Sequence, residues 1–146
     1  KLLLELLHLF DIVGREEPIL EAFRRIGVSD PENYPIHNSA NSPLVPAMVE
    51  RLYARLQRSG FLKRDVQRMV NNERNIFAAL MVEMGEADAM VSGVTRHFNQ
   101  VMSQVRLVID PVPDHSPFGF HIFAGRAGTF LIGDTTVNER PSGKQL

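Results

Sequence analysis

No cysteine occurs among the 146 residues, which excludes a disulfide framework, a thiolate nucleophile and cysteine-ligated zinc. That absence fits a reducing compartment, and the cytoplasm is the expected location. An excess of charge is missing as well, since 16 Lys plus Arg stand against 17 Asp plus Glu. No broad electrostatic attraction to nucleic acid or to an anionic membrane is expected, so any anion must be captured locally. A membrane-length apolar run is also lacking. Residues 1–10 hold Leu at six positions, but they carry Glu5 and His8, have no small-residue cleavage site and are too short to cross a bilayer. They read as the end of a buried helix. Neither a Walker-type Gly-Lys-Ser/Thr nor a Gly-x-Gly-x-x-Gly is present. The five histidines, His8, His37, His97, His115 and His121, show no paired zinc spacing. The lone Glu5-x-x-His8 lacks the second copy that a di-iron bundle requires, and no Ser-His-Asp arrangement can be defended from spacing.

What is present is an ordinary globular composition, 44% hydrophobic and 23% charged, long enough to bury a sizeable core. A short strand over 11–14 leads into a helix over 16–26, with Pro18 in its first turn and Gly27 as its stop. A second strand is predicted over 34–38, then a polar loop over 38–43 and a long helix over 44–59 with Leu44, Met48, Leu52 and Leu56 on one face. Helices follow over 62–71 and 73–84, the latter with a stripe of Phe77, Leu80, Met81 and Met84. Residues 87–91 read as a short buried strand. Phe98, Val101, Met102, Val105, Val108 and Ile109 mark the next helix. This alternation predicts an α/β fold with a mostly parallel sheet covered on both faces. After Ile109 the prolines Pro111, Pro113 and Pro117 form a stiff connection to two strands, 118–124 and 129–132, joined by a hairpin turn at Gly125-Arg126-Ala127-Gly128. A boundary is therefore placed near 106–117, giving a first subdomain over 1–109 and the start of a second over 110–146. The chain opens without methionine inside an apparent helix and closes where another helix should start, so it reads as a piece of a larger ligand-binding domain.

The stretch most suited to chemistry is Val91-Ser92-Gly93-Val94-Thr95-Arg96-His97-Phe98, between the predicted buried strand and the next helix. In open parallel sheets that position forms the ligand crevice, and free amides at a helix N-terminus favour an anion. Ser92 and Thr95 add hydroxyl donors, Gly93 lets a ligand approach the backbone, and Arg96 offers a guanidinium fork suited to phosphate. The plainer alternative is that Thr95 caps the helix and Arg96 is solvated. Asn71-Asn72-Glu73-Arg74-Asn75 joins two helices and could direct polar groups into the same crevice, although such loops usually serve as caps. Arg51, Arg55, Arg58, Lys63, Arg64 and Arg68 make the middle of the chain basic. Without interleaved aromatics they read as a solvated or subunit-facing surface. Metal ligation within the chain is not expected.

The run Arg64-Asp65-Val66-Gln67-Arg68 through Asn75, then Phe77-Ala78-Ala79-Leu80-Met81-Val82 and Gly85-Glu86-Ala87-Asp88-Ala89-Met90-Val91-Ser92-Gly93-Val94-Thr95-Arg96, resembles the phosphotransacetylase-like C-terminal domain of bacterial hybrid NADP-dependent malic enzymes. Ile12-Val13-Gly14-Arg15-Glu16-Glu17, Val108-Ile109-Asp110-Pro111 and Thr129-Phe130-Leu131-Ile132-Gly133-Asp134-Thr135-Thr136-Val137 extend the likeness over nearly the whole chain. The resemblance implies a phosphotransacetylase-like (isocitrate/isopropylmalate dehydrogenase-like) three-layer fold, incomplete in this chain, with two α/β subdomains flanking an acyl-CoA cleft. It also implies a homo-oligomer, dimeric through this domain, that senses acetyl-CoA as an allosteric inhibitor. The malate site, NADP and a divalent metal, Mg or Mn, belong in that family to an N-terminal portion outside this chain, so no cofactor is expected within it.

One departure touches the crevice. True phosphotransacetylases carry a Ser-Gly-Ala-x-His-Ser-Thr-like sequence where this chain has Ser92-Gly93-Val94-Thr95-Arg96-His97-Phe98, so small hydroxyls give way to a cation and an aromatic. The family's later Ser-Arg-Gly catalytic region lies beyond Leu146. The first reading is thus a regulatory and assembly domain with Ser92, Gly93, Thr95 and Arg96 lining an acyl-CoA crevice and Asn75 supporting it. The second is a genuine phosphate acetyltransferase in which Arg96 holds phosphate and stabilises developing charge. A third is a scaffold that dimerises and binds nothing.

Overall fold

The computed structural model describes residues 10–93, 95–134, 136–138 and 142–143. The chain divides into two compact units, Lys1–Ile109 and Asp110–Leu146. The helix expected over residues 1–10 falls almost wholly outside the described residues, as does the helix expected to start near the chain end. Among the described residues no helix is long and apolar enough to cross a membrane.

The first unit opens with β1 (Ile12–Val13), parallel to β2 (Ile36–His37), with Ile12 opposite Ile36 and Val13 opposite His37. Between them runs α1 (Glu16–Ile26). Its start is set by Glu16 and Glu17 and its end by Arg24 and Arg25, signs that complement the helix dipole. Gly27 takes the left-handed conformation (φ 74°, ψ 32°) and terminates it by donating its amide to the Arg24 carbonyl. The core lies in the helices that follow. α2 (Val45–Leu56) buries Val45, Met48, Val49, Leu52 and Leu56, and its last turn tightens into a 3₁₀ turn at Gln57–Ser59. α3 (Lys63–Asn72) contributes Val66 and Val70. α4 (Arg74–Glu83) buries Ile76, Phe77, Ala79, Leu80 and Met81, a wider surface than one stripe, because α2, α3 and α5 (Phe98–Val108) all pack against it. α5 fully buries only Val108, and Phe98 at its start stays 43% exposed.

The expected strand over 87–91 is not formed. Those residues belong to no regular element, and Val91 is 86% exposed. A strand is defined by its ladder, and no partner strand lies beside this segment among the described residues. An apolar composition cannot supply that partner. The described strands form one parallel pair and one antiparallel pair.

The second unit is built on β3 (Phe120–Gly125) and β4 (Gly128–Gly133), an antiparallel hairpin in which Phe120 faces Gly133 and Gly125 faces Gly128. Arg126 and Ala127 make the turn. Gly128 at φ 134° supplies a conformation that side-chain-bearing residues rarely adopt. Phe118 stacks edge-on against Phe120 at 4.9 Å and lies so close to Gly133 that a Cβ there would sit 2.6 Å from its ring. Beyond β4, Asp134 organises the chain: its Oδ1 accepts the amides of Thr136 (3.3 Å) and Val137 (2.9 Å). Its Oδ2 accepts Nδ2 of Asn138, which also donates to the Pro117 carbonyl at 2.9 Å.

Candidate functional site

The segment between α4 and α5 starts from a firm base. Gly85 (φ 78°) and Glu86 close the C-terminus of α4 by donating to the carbonyls of Val82 and Met81 at 3.1 and 2.8 Å. The chain then runs to Ser92 and Gly93 with Ala87 and Met90 half-buried against the core and Asp88, Ala89 and Val91 exposed. Gly93 has φ 139° with open space where a Cβ would point. The Thr95 amide donates to the Gly93 carbonyl at 2.7 Å, which folds the loop tightly before α5. Val94 lies outside the described residues. The N-cap of α5 is His97, not Thr95, and its side chain makes no capping bond. Thr95 therefore does not act as the cap. Thr95 and Arg96 are exposed, and among the described residues Arg96 forms no hydrogen bond or ion pair.

Ser92 is tied down by a hydrogen-bonded series. Its Oγ donates to Oδ1 of Asn75 at 2.6 Å, Nδ2 of Asn75 donates to Oε1 of Gln104 at 2.7 Å, and Nε2 of Gln104 donates to Oε2 of Glu73 at 2.7 Å. Asn75 sits in the first turn of α4, Glu73 at its N-cap and Gln104 on α5. Asn75, Glu73 and Gln104 are half-buried while Ser92 is exposed, so the series runs from between two helices out to the loop. Asn75 is thus not a cap but a bridge. Of the predicted residues, Asn75 and Ser92 are joined directly and Gly93 and Thr95 through the backbone; Arg96 follows on the same loop without a bond to the series.

Sequence reasoning missed Gln104 altogether and treated Glu73 as a helix-end residue. The available signal was positional: Gln104 falls on the same helical face as Val101 and Val108, where an amide among apolar residues needs a partner. The basic residues in the middle of the chain are mostly engaged within the unit. Arg51 forks onto Glu83 with contacts of 2.6, 2.9 and 3.1 Å, and that hydrogen bonding, with the Glu83 charge, raises the Arg51 pKa above its ordinary value. Nε of Arg55 donates to the Leu107 carbonyl at 2.8 Å, and Lys63 pairs with Glu50. A cavity of about 190 Å³ lined by Arg51, Arg55, Glu83 and Val108, among others, includes none of the loop residues. Among the described residues no three His, Asp or Glu side chains gather closely enough to hold a metal.

Comparison with known proteins places this chain in a family. The family described as Phosphate acetyl/butaryl transferase matches residues 6–146, and the chain belongs to it. Over 136 residues the chain is 43% identical to the NADP-dependent malic enzyme of Rhizobium meliloti (strain 1021), covering 92% of this chain and 18% of that protein. The probable NADP-dependent malic enzyme of Rickettsia prowazekii (strain Madrid E) is 33% identical over the same shares. The chain thus spans about a fifth of the length of these relatives. Among solved structures, a phosphotransacetylase from Streptococcus pyogenes superimposes with a TM-score of 0.76 at 22% identity, covering 92% of this chain and 41% of that one. The fold is therefore phosphotransacetylase-like.

Proposed function

We propose that this chain forms the regulatory and oligomerisation part of a cytoplasmic NADP-dependent malic enzyme, and that the loop carrying Ser92, Gly93, Thr95 and Arg96 binds acetyl-CoA as an allosteric inhibitor. The observation that carries the assignment is the 43% identity to a malic enzyme across 92% of the chain, on a fold shared with phosphotransacetylases. Oxidative decarboxylation of malate to pyruvate, with NADP and Mg or Mn, then belongs to residues outside this chain. The complete domain is read as a three-layer, isocitrate/isopropylmalate dehydrogenase-like fold with a mostly parallel sheet, dimerising through this region.

The chemistry of the loop supports an anionic ligand. An exposed guanidinium without an acceptor among the described residues, next to a helix N-terminus that lacks a side-chain cap, supplies donors for phosphate groups. Acetyl-CoA carries such groups. For inhibition it must bind the inactive arrangement more tightly than the active one. Family membership favours a second reading, a genuine phosphate acetyltransferase moving acetyl between CoA and phosphate with Arg96 on the phosphate.

Calorimetric titration of the full-length protein with acetyl-CoA, beside Arg96→Ala and an assay of acetyl transfer to phosphate, separates these readings. We expect saturable binding, weakened about tenfold or more in the variant through loss of a charge-assisted hydrogen bond, without turnover. Turnover would move the protein to the transferase class, and absence of binding would leave a scaffold.

A further inference from the structure

The series from Glu73 to Ser92 has a direction. A carboxylate at neutral pH offers only acceptors, so the group that Gln104 turns toward Glu73 must be its NH₂. The carbonyl of Gln104 then faces Asn75, which must answer with its own NH₂ at 2.7 Å. That leaves the Asn75 carbonyl facing Ser92, and a hydroxyl 2.6 Å from a carbonyl oxygen must donate to it. Reversing any one member would set two acceptors or two donors against each other. The only proton of the Ser92 hydroxyl is therefore committed inward, and what Ser92 turns to solvent is lone pairs.

We propose that Glu73, acting through Gln104 and Asn75, fixes Ser92 as a hydrogen-bond acceptor toward ligand, so that Ser92 selects an N–H or O–H donor and not a phosphate oxygen. This inference rests on the acetyl-CoA reading above and refines it. The expectation that Ser92 donates to an anion is reversed, because a phosphate oxygen placed on Ser92 would meet lone pairs. Anionic groups fall to Arg96 and the first amides of α5. Ser92 takes a neutral donor, and the amide N–H groups of the pantetheine arm are donors of that kind in acetyl-CoA. Glu73, Gln104 and Asn75 are positioning residues.

The test uses the full-length protein with two probes, acetyl-CoA and inorganic phosphate, titrated calorimetrically. Ser92→Ala is expected to weaken acetyl-CoA about three- to tenfold, the size of one neutral hydrogen bond, while phosphate affinity holds, and Ser92→Thr is expected to restore acetyl-CoA binding. Glu73→Lys replaces the acceptor-only anchor by a donor-only one and turns the whole series round. It is expected to weaken acetyl-CoA and tighten phosphate, whereas Glu73→Gln, whose carbonyl still accepts from Gln104, recovers most of the acetyl-CoA affinity. Should Glu73→Lys fail to fold, Gln104→Leu interrupts the series and moves both affinities in the same directions by less. Loss of phosphate binding in Ser92→Ala would overturn the inference, because Ser92 would then be a donor. Acetyl-CoA affinity unchanged in both Ser92→Ala and Glu73→Lys would also overturn it while leaving the acetyl-CoA reading intact. Absence of acetyl-CoA binding by the unaltered protein would overturn both.

Discussion

Gly133 ends β4 with the Phe118 ring lying across its backbone. A Cβ at this position would meet Cε1 and Cζ of Phe118 at 2.6 and 2.8 Å and the Gly119 carbonyl at 3.3 Å. The ring also contacts Phe120 edge-on at 4.9 Å, so relief requires the Phe118 ring to shift. Gly133→Ala is expected to destabilise the second unit by about 1–3 kcal/mol, the usual cost of overpacking. Hydrogen exchange of peptides covering β3 and β4 in the full-length protein would reveal it as faster exchange; an unchanged pattern would mean that Phe118 relocates freely. Single residues were also where sequence and structure diverged in the site. Ser92, Gly93, Thr95 and Arg96 stand out in the sequence because small, hydroxyl and cationic residues ahead of an amphipathic helix carry a local signal. Gln104 does not, because its partners Asn75 and Glu73 are about thirty residues away in sequence and hydrogen bonds across that separation leave no spacing to read.

Helices were readable to within a residue or two wherever both the apolar face and the stop were local. α1 illustrates this, with acidic residues at one end and Gly27 at the other. The strand expected over 87–91 illustrates the converse, since five residues of suitable composition do not contain the neighbour that would pair with them. The turn closing β4 belongs to the same scale and titrates. Partial desolvation pushes the Asp134 carboxyl upward, but the amides of Val137, Thr136 and Gly119 and the side-chain amide of Asn138 outweigh it and hold the group below its ordinary 3.8. A carboxyl depressed on folding adds stability that is fully present above 3.8 and drains away as pH falls through the lower folded value. Exchange of peptides spanning 134–138, corrected for its intrinsic pH dependence, should therefore accelerate as pH is lowered from about 5 toward 2, and Asp134→Asn should remove that acceleration. Equal acid sensitivity in the variant would show that another group is responsible.

At the scale of the chain, each unit must be judged by its own packing. The first holds the buried cluster spread over α2, α3, α4 and Val108, and the series from Glu73 to Ser92 is anchored at the start of α4, about one turn before the fully buried Phe77. The second unit is a hairpin whose strand residues are all exposed. The interior of the first was legible from apolar periodicity; the division at Ile109 and Asp110 falls just ahead of Pro111, Pro113 and Pro117.

Among the described residues, those from Asp88 to Gly93 and Thr95 to Arg96 join no ladder, and this has a further consequence, for a protease. A cleaving enzyme needs several consecutive residues extended and free of secondary structure, and exposed loops outside regular elements meet that need. Here the Arg96–His97 bond lies just past the segment that Ser92 pins to Asn75. Brief trypsin treatment of the full-length protein should cut after Arg96, and Ser92→Ala should hasten that cut without hastening cleavage at Arg24 or Arg25 in α1. A nick that ignores the substitution would show that the hydroxyl does not restrain the segment. On the proposed reading, acetyl-CoA added beforehand should delay the cut, so one gel would register binding as protection of a single peptide bond.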